Sequence, residues 1–156
     1  MRFSAYLGRL AALGAERARR ILQPLRLGVR GLVIDQAGRV LLVRHTYISG
    51  WYLPGGGVEP GESAKAALAR ELREEAGVEV GGPCLLHGIF FNPRASRRDH
   101  VACYIVRDFQ IVPREPDLEI AEARFFPAGA LPADTSPATR ARLEEALKGV
   151  PLSDTW

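Results

Sequence analysis

Three glutamates are the residues of this 156-residue chain best suited to chemistry, because their spacing brings them together. The run 63–76 is rich in Ala, Leu, Glu and Arg, begins at a serine that can cap, and stops before Gly77, which predicts a helix. On that helix Glu71, Glu74 and Glu75 stand at positions i, i+3 and i+4, so their carboxylates share one side. Because carboxylates at this spacing repel one another, the arrangement favours a strongly positive partner.

Two interpretations account for this acidic edge. Clustered carboxylate oxygens, with room left for waters and phosphates, suit Mg²⁺ or Mn²⁺. The alternative is a solvated helix face whose glutamates pair with Arg70 and Arg73. Leu68 and Leu72 fall on the adjoining strip, which predicts that the acidic edge borders a sheet.

A glycine run precedes the helix, in the sequence Leu53-Pro54-Gly55-Gly56-Gly57. Because glycine has no Cβ, this run lets the backbone pass close to a ligand and adopt positive φ at three successive residues. A carbonyl of the run is a candidate metal ligand. The alternative is a tight turn between a strand and a loop.

Helix and glycine run together match a longer pattern, Gly-x5-Glu-x7-Arg-Glu-aliphatic-x-Glu-Glu-x-Gly-aliphatic. With residue frequencies of roughly 5–10 %, a chance match at a given start is on the order of one in a billion. The pattern resembles the signature box of the Nudix hydrolases, and the resemblance covers residues 25–148. It implies an α/β fold, the Nudix-type α/β/α sandwich with a mixed β-sheet, and metal-dependent cleavage of a diphosphate. The matching residues are Gly56, Glu62, Arg70, Glu71, Leu72, Glu74, Glu75, Gly77 and Val78.

The resemblance also assigns the metal ligands. It implies that Glu71, Glu74 and Glu75 bind Mg²⁺ or Mn²⁺, with the carbonyl of Gly55 as a further ligand. Metal bound in this way neutralises charge that develops on the diphosphate and makes a bound water easier to deprotonate.

Further catalytic roles follow from the same resemblance. Arg70 is expected to hold the first glutamate by an ion pair, and Glu62 to act from behind the metal ligands. The general base varies across the family between a glutamate of the box and one on a later loop. On that loop the candidate is Glu119, with Glu115 and Glu122 behind it. The alternative for each of the three is a plain surface carboxylate.

Candidate substrate contacts flank the box. Tyr47 or Trp51 is suited to stack on a base, and Arg44 or Arg94 to pair with a phosphate. For Trp51, packing in the core is an equal alternative. Gly56 is expected to let the substrate approach the backbone.

One domain is expected, since 47 % hydrophobic and 25 % charged residues are ordinary for a globular protein of this length. We divide the chain into a basic amphipathic leader helix (1–24), the Nudix domain (25–150) and a C-terminal tail (151–156). Residues 1–30 hold seven arginines and one acidic residue, and the remainder is mildly acidic. The net charge of +3 therefore gives no reason to expect nucleic-acid binding. No apolar run approaches the length of a membrane span.

The leader has three open interpretations. Its apolar residues recur at helical spacing, with arginines on the other side. We expect the leader to pack on the domain, to pack on a second subunit in a homodimer, or to contact an anionic membrane surface weakly. Cys84 and Cys103 show no metal-site spacing and are expected in strands as free thiols of a reducing compartment. A reducing compartment favours a cytoplasmic protein. The 19 arginines against 2 lysines are typical of GC-rich coding sequences, which favours a bacterial protein.

The other elements are predicted from hydrophobic runs and turn residues. Strands at 25–35 and 39–45 are expected to form a hairpin around Gln36-Ala37-Gly38. A closing helix is expected at 136–148, between a serine-proline pair and a glycine. Further strands are predicted at 51–54, 78–80, 84–91, 100–109 with a continuation to 112, and 123–126.

The resemblance to the Nudix hydrolases implies a divalent-metal-dependent pyrophosphohydrolase, which we expect to cleave a nucleoside diphosphate linked to another moiety, of the nucleotide-sugar or ADP-ribose type. Its partner is thus a small-molecule nucleotide diphosphate derivative. One alternative is a house-cleaning nucleoside triphosphate pyrophosphatase. The other is a nucleotide-sensing module with little turnover, although a pure binding module has no need of three mutually repelling glutamates.

Overall fold

The computed structural model describes residues 24–115 and 118–156. The predicted leader lies outside them except for Pro24. No helix among the described residues has both the length and the apolar character that a membrane span needs. The elements are β1 (Arg26–Val33), β2 (Arg39–His45), α1 (Ala64–Ala76), β3 (Val78–Val80), β4 (Leu85–Phe91), β5 (Asp99–Val106), β6 (Phe109–Ile111), β7 (Ile120–Pro127) and α2 (Pro137–Lys148).

The strands form the mixed arrangement that the resemblance implies. β1 pairs in parallel with β5, and β5 pairs in antiparallel fashion with β4. β2 pairs with β7 and β3 with β6, both antiparallel. Parallel and antiparallel ladders therefore meet in the sheet of β1, β5 and β4.

Among the residues that the structure describes, the core has two parts, one under α1 and one under α2. Val29 of β1 packs in one cluster with Leu68 and Leu72 of α1, as expected for the apolar strip of that helix. Leu32, on the opposite face of β1, packs in a second cluster with Leu143 of α2. Because side chains alternate along a strand, a sheet that buries both faces needs a cover on each side. The predicted α/β/α sandwich is confirmed.

The predicted hairpin of β1 and β2 is wrong as a strand pairing. The two strands share an isolated bridge between Ile34 and Val40, and β2 continues along β7 instead. The free edge of β1 is taken by the 54–58 segment, where the N–H of Val29 donates to the carbonyl of Gly56 at 2.8 Å. The glycine run therefore lies alongside the sheet as part of it.

Two other strand predictions differ from the structure. The strand expected at 100–109 ends at Val106, because the chain turns at Asp108, whose carbonyl accepts the Gly81 N–H at 3.0 Å. The residues after this turn form β6 and pair with β3 instead of extending β5. The strand expected at 51–54 is reduced to isolated bridges.

The predicted tail, residues 151–156, lies against β4. The N–H of Phe91 donates to the carbonyl of Asp154, and the N–H of Trp156 to the carbonyl of Phe91, both at 2.9 Å. The Trp156 ring stands edge-on to Phe90 with centroids 5.9 Å apart. This segment therefore continues the sheet beyond β4.

Both cysteines are free thiols, as predicted. Cys103 is buried within β5, whereas Cys84 stands just before β4 and is partly exposed. Burial raises the pKa of Cys103 to about 12, so this side chain is a neutral core residue at physiological pH.

Candidate active site

Helix α1 carries the glutamates and is fixed at both ends. The Ser63 hydroxyl accepts the N–H of Ala66 at 3.2 Å, and the N–H of Gly77 donates to the carbonyl of Arg73 at 3.0 Å. A side-chain cap of this kind stabilises a helix by about 1 kcal/mol. The fixed ends and the buried apolar strip together set the direction in which the glutamates point.

Two of the three glutamates face one cavity of about 370 Å³, which we call the cleft. Glu75 is buried there and accepts the N–H of Gly55 at 2.7 Å. Glu71 lines the same cavity. The Glu74 side chain is 60 % exposed and lies beside the cleft. Helical spacing predicted that the three carboxylates share one side of the helix. In the structure Glu71 and Glu75 face the cleft, whereas Glu74 faces solvent.

Arg70 joins several of the predicted residues. Its guanidinium donates to both carboxylate oxygens of Glu62, at 3.0 and 3.1 Å, and to Glu71 at 2.8 Å. It also reaches Glu74 at 3.4 Å and the carbonyl of Gly57 at 3.1 Å. Hydrogen bonding to Glu62, and then to Glu71, raises the pKa of Arg70, while Arg70 lowers the pKa of Glu62. The expected contact between Arg70 and the first glutamate is present, and Glu62 holds Arg70 in place.

The glycine run forms the wall opposite α1. Gly55 has a φ of +134°, and a Cβ there would strike the carbonyl of Val29. A Cβ at Gly56 would overlap the carboxylate of Glu71. Gly55 is the one member of the run with positive φ, so the backbone uses the conformational freedom of the three glycines at one position. At Gly56 the glycine run leaves space beside the Glu71 carboxylate.

Three of the predicted base and substrate residues line the cleft: Tyr47, Gly56 and Glu119. Tyr47 is 71 % exposed, and its ring lies 5.2 Å from that of His45, which also lines the cleft. The cleft therefore combines carboxylates on one side with an exposed aromatic ring on another.

The other three predicted substrate contacts lie elsewhere. Arg44 pairs with Glu122 at 3.0 Å, outside the cleft. Trp51 is 7 % exposed and stands edge-on to Phe126 at 4.7 Å, so of its two interpretations the structure supports core packing. Arg94 is exposed on the turn between β4 and β5.

A family model described as the NUDIX domain matches residues 24–147. The chain belongs to the NUDIX family. Its fold also matches a MutT NUDIX hydrolase structure from Burkholderia pseudomallei, with a TM-score of 0.66 and 28 % identity over 78 % of this chain and 97 % of that one.

Two curated relatives resemble part of this NUDIX chain. A putative 8-oxo-dGTP diphosphatase of Bacillus subtilis is 34 % identical over 70 residues, or 45 % of this chain and 46 % of the relative. Diphosphoinositol polyphosphate phosphohydrolase 2 of Rattus norvegicus is 47 % identical over 68 residues, or 43 % of this chain and 37 % of the relative. The chain thus spans less than half the length of these two relatives.

Sequence reasoning missed a charged cleft residue, Arg30. Its Nη1 donates to the carbonyl of Gly55 and lies 3.5 Å from that of Leu53, so the guanidinium is held against the glycine run. It lines the cleft together with Glu71 and Glu75. The signal available in the sequence was a single arginine within the otherwise uncharged stretch 27–34.

The cleft of this NUDIX chain fits a divalent metal by its donor chemistry. Among the residues that the structure describes, no three His, Cys, Asp or Glu side chains stand close enough to enclose an ion. The carboxylates of Glu71, Glu75 and Glu119 and the backbone of Gly55 nevertheless border one cavity. Oxygen donors of this kind are what Mg²⁺ and Mn²⁺ take, with waters and phosphates completing their coordination. The space kept open at Gly56 adjoins these oxygens.

Proposed function

We propose that this NUDIX protein is a divalent-metal-dependent pyrophosphohydrolase that cleaves a nucleoside diphosphate linked to another moiety. The observation that carries the proposal is the cleft, where Glu71, Glu75 and Glu119 share one cavity with Arg30. Carboxylates for a cation and a guanidinium for phosphate oxygens are the two kinds of group that phosphoanhydride hydrolysis requires. The names of both curated relatives, a diphosphatase and a phosphohydrolase, agree with this chemistry.

Arg30 and the glycine run bind the diphosphate. A guanidinium forms paired hydrogen bonds with phosphate oxygens, and the missing Cβ of Gly56 lets those oxygens reach the carboxylates. Glu71, Glu75 and the carbonyl of Gly55 would hold Mg²⁺ or Mn²⁺, which would supply positive charge and lower the pKa of a bound water. Arg70 keeps the Glu71 carboxylate oriented while this occurs.

Glu119 takes the proton from the attacking water. It stands immediately before β7, and its carbonyl accepts the Thr46 N–H at 2.8 Å, which fixes it against β2. Tyr47, exposed at the cleft, stacks on the base of the nucleotide.

A nucleoside triphosphate is the second candidate substrate. The observation that favours it is the name of the Bacillus subtilis relative, a putative 8-oxo-dGTP diphosphatase. The two candidates place the same base and phosphates in the cleft. They differ in the group beyond the second phosphate, which is a sugar in one case and a further phosphate in the other.

A substrate panel tests the proposal. Release of the nucleoside monophosphate (AMP, UMP or dGMP) is measured by ion-exchange chromatography for ADP-ribose, UDP-glucose and dGTP, each with Mg²⁺, with Mn²⁺ and with EDTA. We expect ADP-ribose or UDP-glucose to be cleaved faster than dGTP, and only with metal. Preference for dGTP would support the second candidate. Metal-independent turnover, or none with any substrate, would contradict both.

A further inference from the structure

A second cavity, of about 740 Å³, opens on the other side of the glycine run. Arg30, Gly56 and Gly57 line both this cavity and the cleft. A diphosphate held by Arg30 and the glycine run therefore lies between two cavities, one for each of its ends. We call the second cavity the distal pocket, and its walls include Leu27, Val58, Asn92, Asp99, Val101 and Trp156.

Besides its apolar side chains, the distal pocket is lined by the amide of Asn92 and by four charged side chains, Arg26, Arg30, Glu59 and Asp99. The amide of Asn92 donates to the carboxylate of Asp99 at 2.8 Å, which fixes the orientation of both side chains. Trp156 adds an aromatic wall. Carboxylate and amide oxygens accept hydrogen bonds from hydroxyl groups, and an aromatic face packs on the apolar side of a sugar ring. Few convergent polar groups on an apolar surface are typical of small-molecule sites.

Trp156 is held in this wall by a buried ionic network. Arg142 is 1 % exposed, donates to Glu145 at 2.6 Å and to the carbonyl of Thr155 at 3.1 Å, and lies 5.5 Å from the Trp156 ring. Glu145 also accepts the N–H of Ser153 at 3.0 Å. Buried charges are favourable only when they are paired and hydrogen-bonded, so the network fixes the segment that bears Trp156. When a ligand binds to an aromatic side chain on a segment that is already fixed, little further conformational entropy is lost.

We propose that the distal pocket binds the second, hydroxyl-bearing moiety of a two-ended diphosphate, and that Asp99 and Trp156 determine specificity for it. The inference rests on the proposed function and names its substrate class as a sugar-linked nucleoside diphosphate. A nucleoside triphosphate gains less from this pocket, because it has no second sugar to pack on Trp156 or to hydrogen-bond with Asp99.

The test compares two substrates in matched variants. Trp156→Ala removes the aromatic wall, Trp156→Phe keeps an aromatic ring, and Asp99→Asn keeps the size of the side chain while removing its charge. For ADP-ribose we expect Trp156→Ala to raise KM about tenfold with kcat within about twofold, and Trp156→Phe to restore most of the loss. For dGTP we expect the KM to be unchanged, within about twofold, by the variants at Trp156 and at Asp99.

A binding measurement separates this inference from the proposed function. ADP-ribose is titrated in EDTA while tryptophan emission is followed in the wild type and in Trp156→Phe, so that the Trp156 contribution is the difference. A saturable change in that difference supports the distal pocket even if no substrate is turned over. If the wild type cleaves ADP-ribose but Trp156→Ala leaves its KM unchanged, the inference is overturned and the proposed function stands. Equal KM changes for ADP-ribose and dGTP, or no emission change, would also overturn it.

Discussion

Neighbouring glutamates of one helix stand in different surroundings, and this decides what each can do. Glu75 is buried against the N–H of Gly55, whereas Glu74 is largely exposed and reaches Arg70 at 3.4 Å. The helical spacing in the sequence predicts the same surroundings for both residues. Burial at the cleft makes Glu75 the residue on which the proposed chemistry depends most directly.

Replacing Glu75 tests the carboxylate while keeping its hydrogen bond. In Glu75→Gln the amide oxygen still accepts the Gly55 N–H, so we expect an unchanged melting temperature and a loss of turnover on the order of a thousandfold, because an anionic ligand is gone. Glu144→Gln, an exposed glutamate of α2, is the matched control. Near wild-type turnover in Glu75→Gln would contradict the metal assignment. A comparable loss in Glu74→Gln would show that its side chain turns into the cleft when metal binds.

Arg30 is the second residue whose role can be isolated. Lysine keeps the positive charge but lacks the planar fork, so we expect Arg30→Lys to lower kcat/KM by about tenfold to a hundredfold. Arg124→Lys replaces an exposed arginine and serves as the control. Kinetics and circular dichroism are compared for both variants, and equal kcat/KM values would remove Arg30 from the diphosphate site.

The sequence predicted some of these residues and not others for a physical reason. Glu71 and Glu75 could be paired from helical spacing, because one helix turn fixes their distance. Arg30 lies in a strand and meets the glycine run about 25 residues later in the chain, so no local pattern reports it. Tryptophan at position 51 suits either a core or a stacking site, and only tertiary packing distinguishes them.

At the scale of elements, the position of the glycine run is the feature that builds the cleft. The run occupies the edge of β1 that a hairpin would have used, and thereby sets its glycines beside α1. Helix bounds were predicted to within a residue because caps such as Ser63 and Ser136 are local signals. The pairing of β1 was not predicted correctly. Two segments, β2 and residues 54–58, compete for one edge of β1, and the sequence of the turn does not decide between them.

Adding one methyl group to this run tests the close approach. In Gly56→Ala the new Cβ meets the Glu71 carboxylate, and the displacement should lower turnover by about a hundredfold with a small effect on melting temperature. Gly129→Ala, outside the cleft, is the control, since its Cβ would meet nothing within 4 Å and its φ is not positive. Equal turnover in the two variants would show that the space beside Glu71 is not used.

At the scale of the whole molecule, the 151–156 segment joins α2 to the edge of the sheet through Glu145. Burial alone would raise the pKa of Glu145, but hydrogen bonds from the Ser153 N–H, from Arg142 and from His87 hold it below its ordinary value. Because the folded pKa is below the unfolded one, Glu145 contributes stability above the unfolded pKa of 4.5, and this contribution is lost as the pH falls through the folded value.

The free energy of unfolding should therefore depend on the Glu145 charge only at pH values at which the carboxyl is ionised in the folded protein. At pH 7 we expect Glu145→Gln to destabilise the fold by about 3 kcal/mol, because Arg142 then keeps a buried charge without its ionic partner. At pH 3 the difference between variant and wild type should shrink, since the wild-type carboxyl approaches its protonated form. Urea titrations at both pH values measure this, and a difference that stays constant with pH would contradict the assignment.

The most direct test of the central claim is to identify the bond that is cleaved. ADP-ribose is hydrolysed in ¹⁸O-labelled water with Mg²⁺, and the products are examined by mass spectrometry. We expect AMP and ribose 5-phosphate, with one ¹⁸O on the phosphate that water attacked and none on the other. Products from any other bond, or the same products at the same rate in Glu75→Gln, would contradict the claim that this cleft hydrolyses a diphosphate.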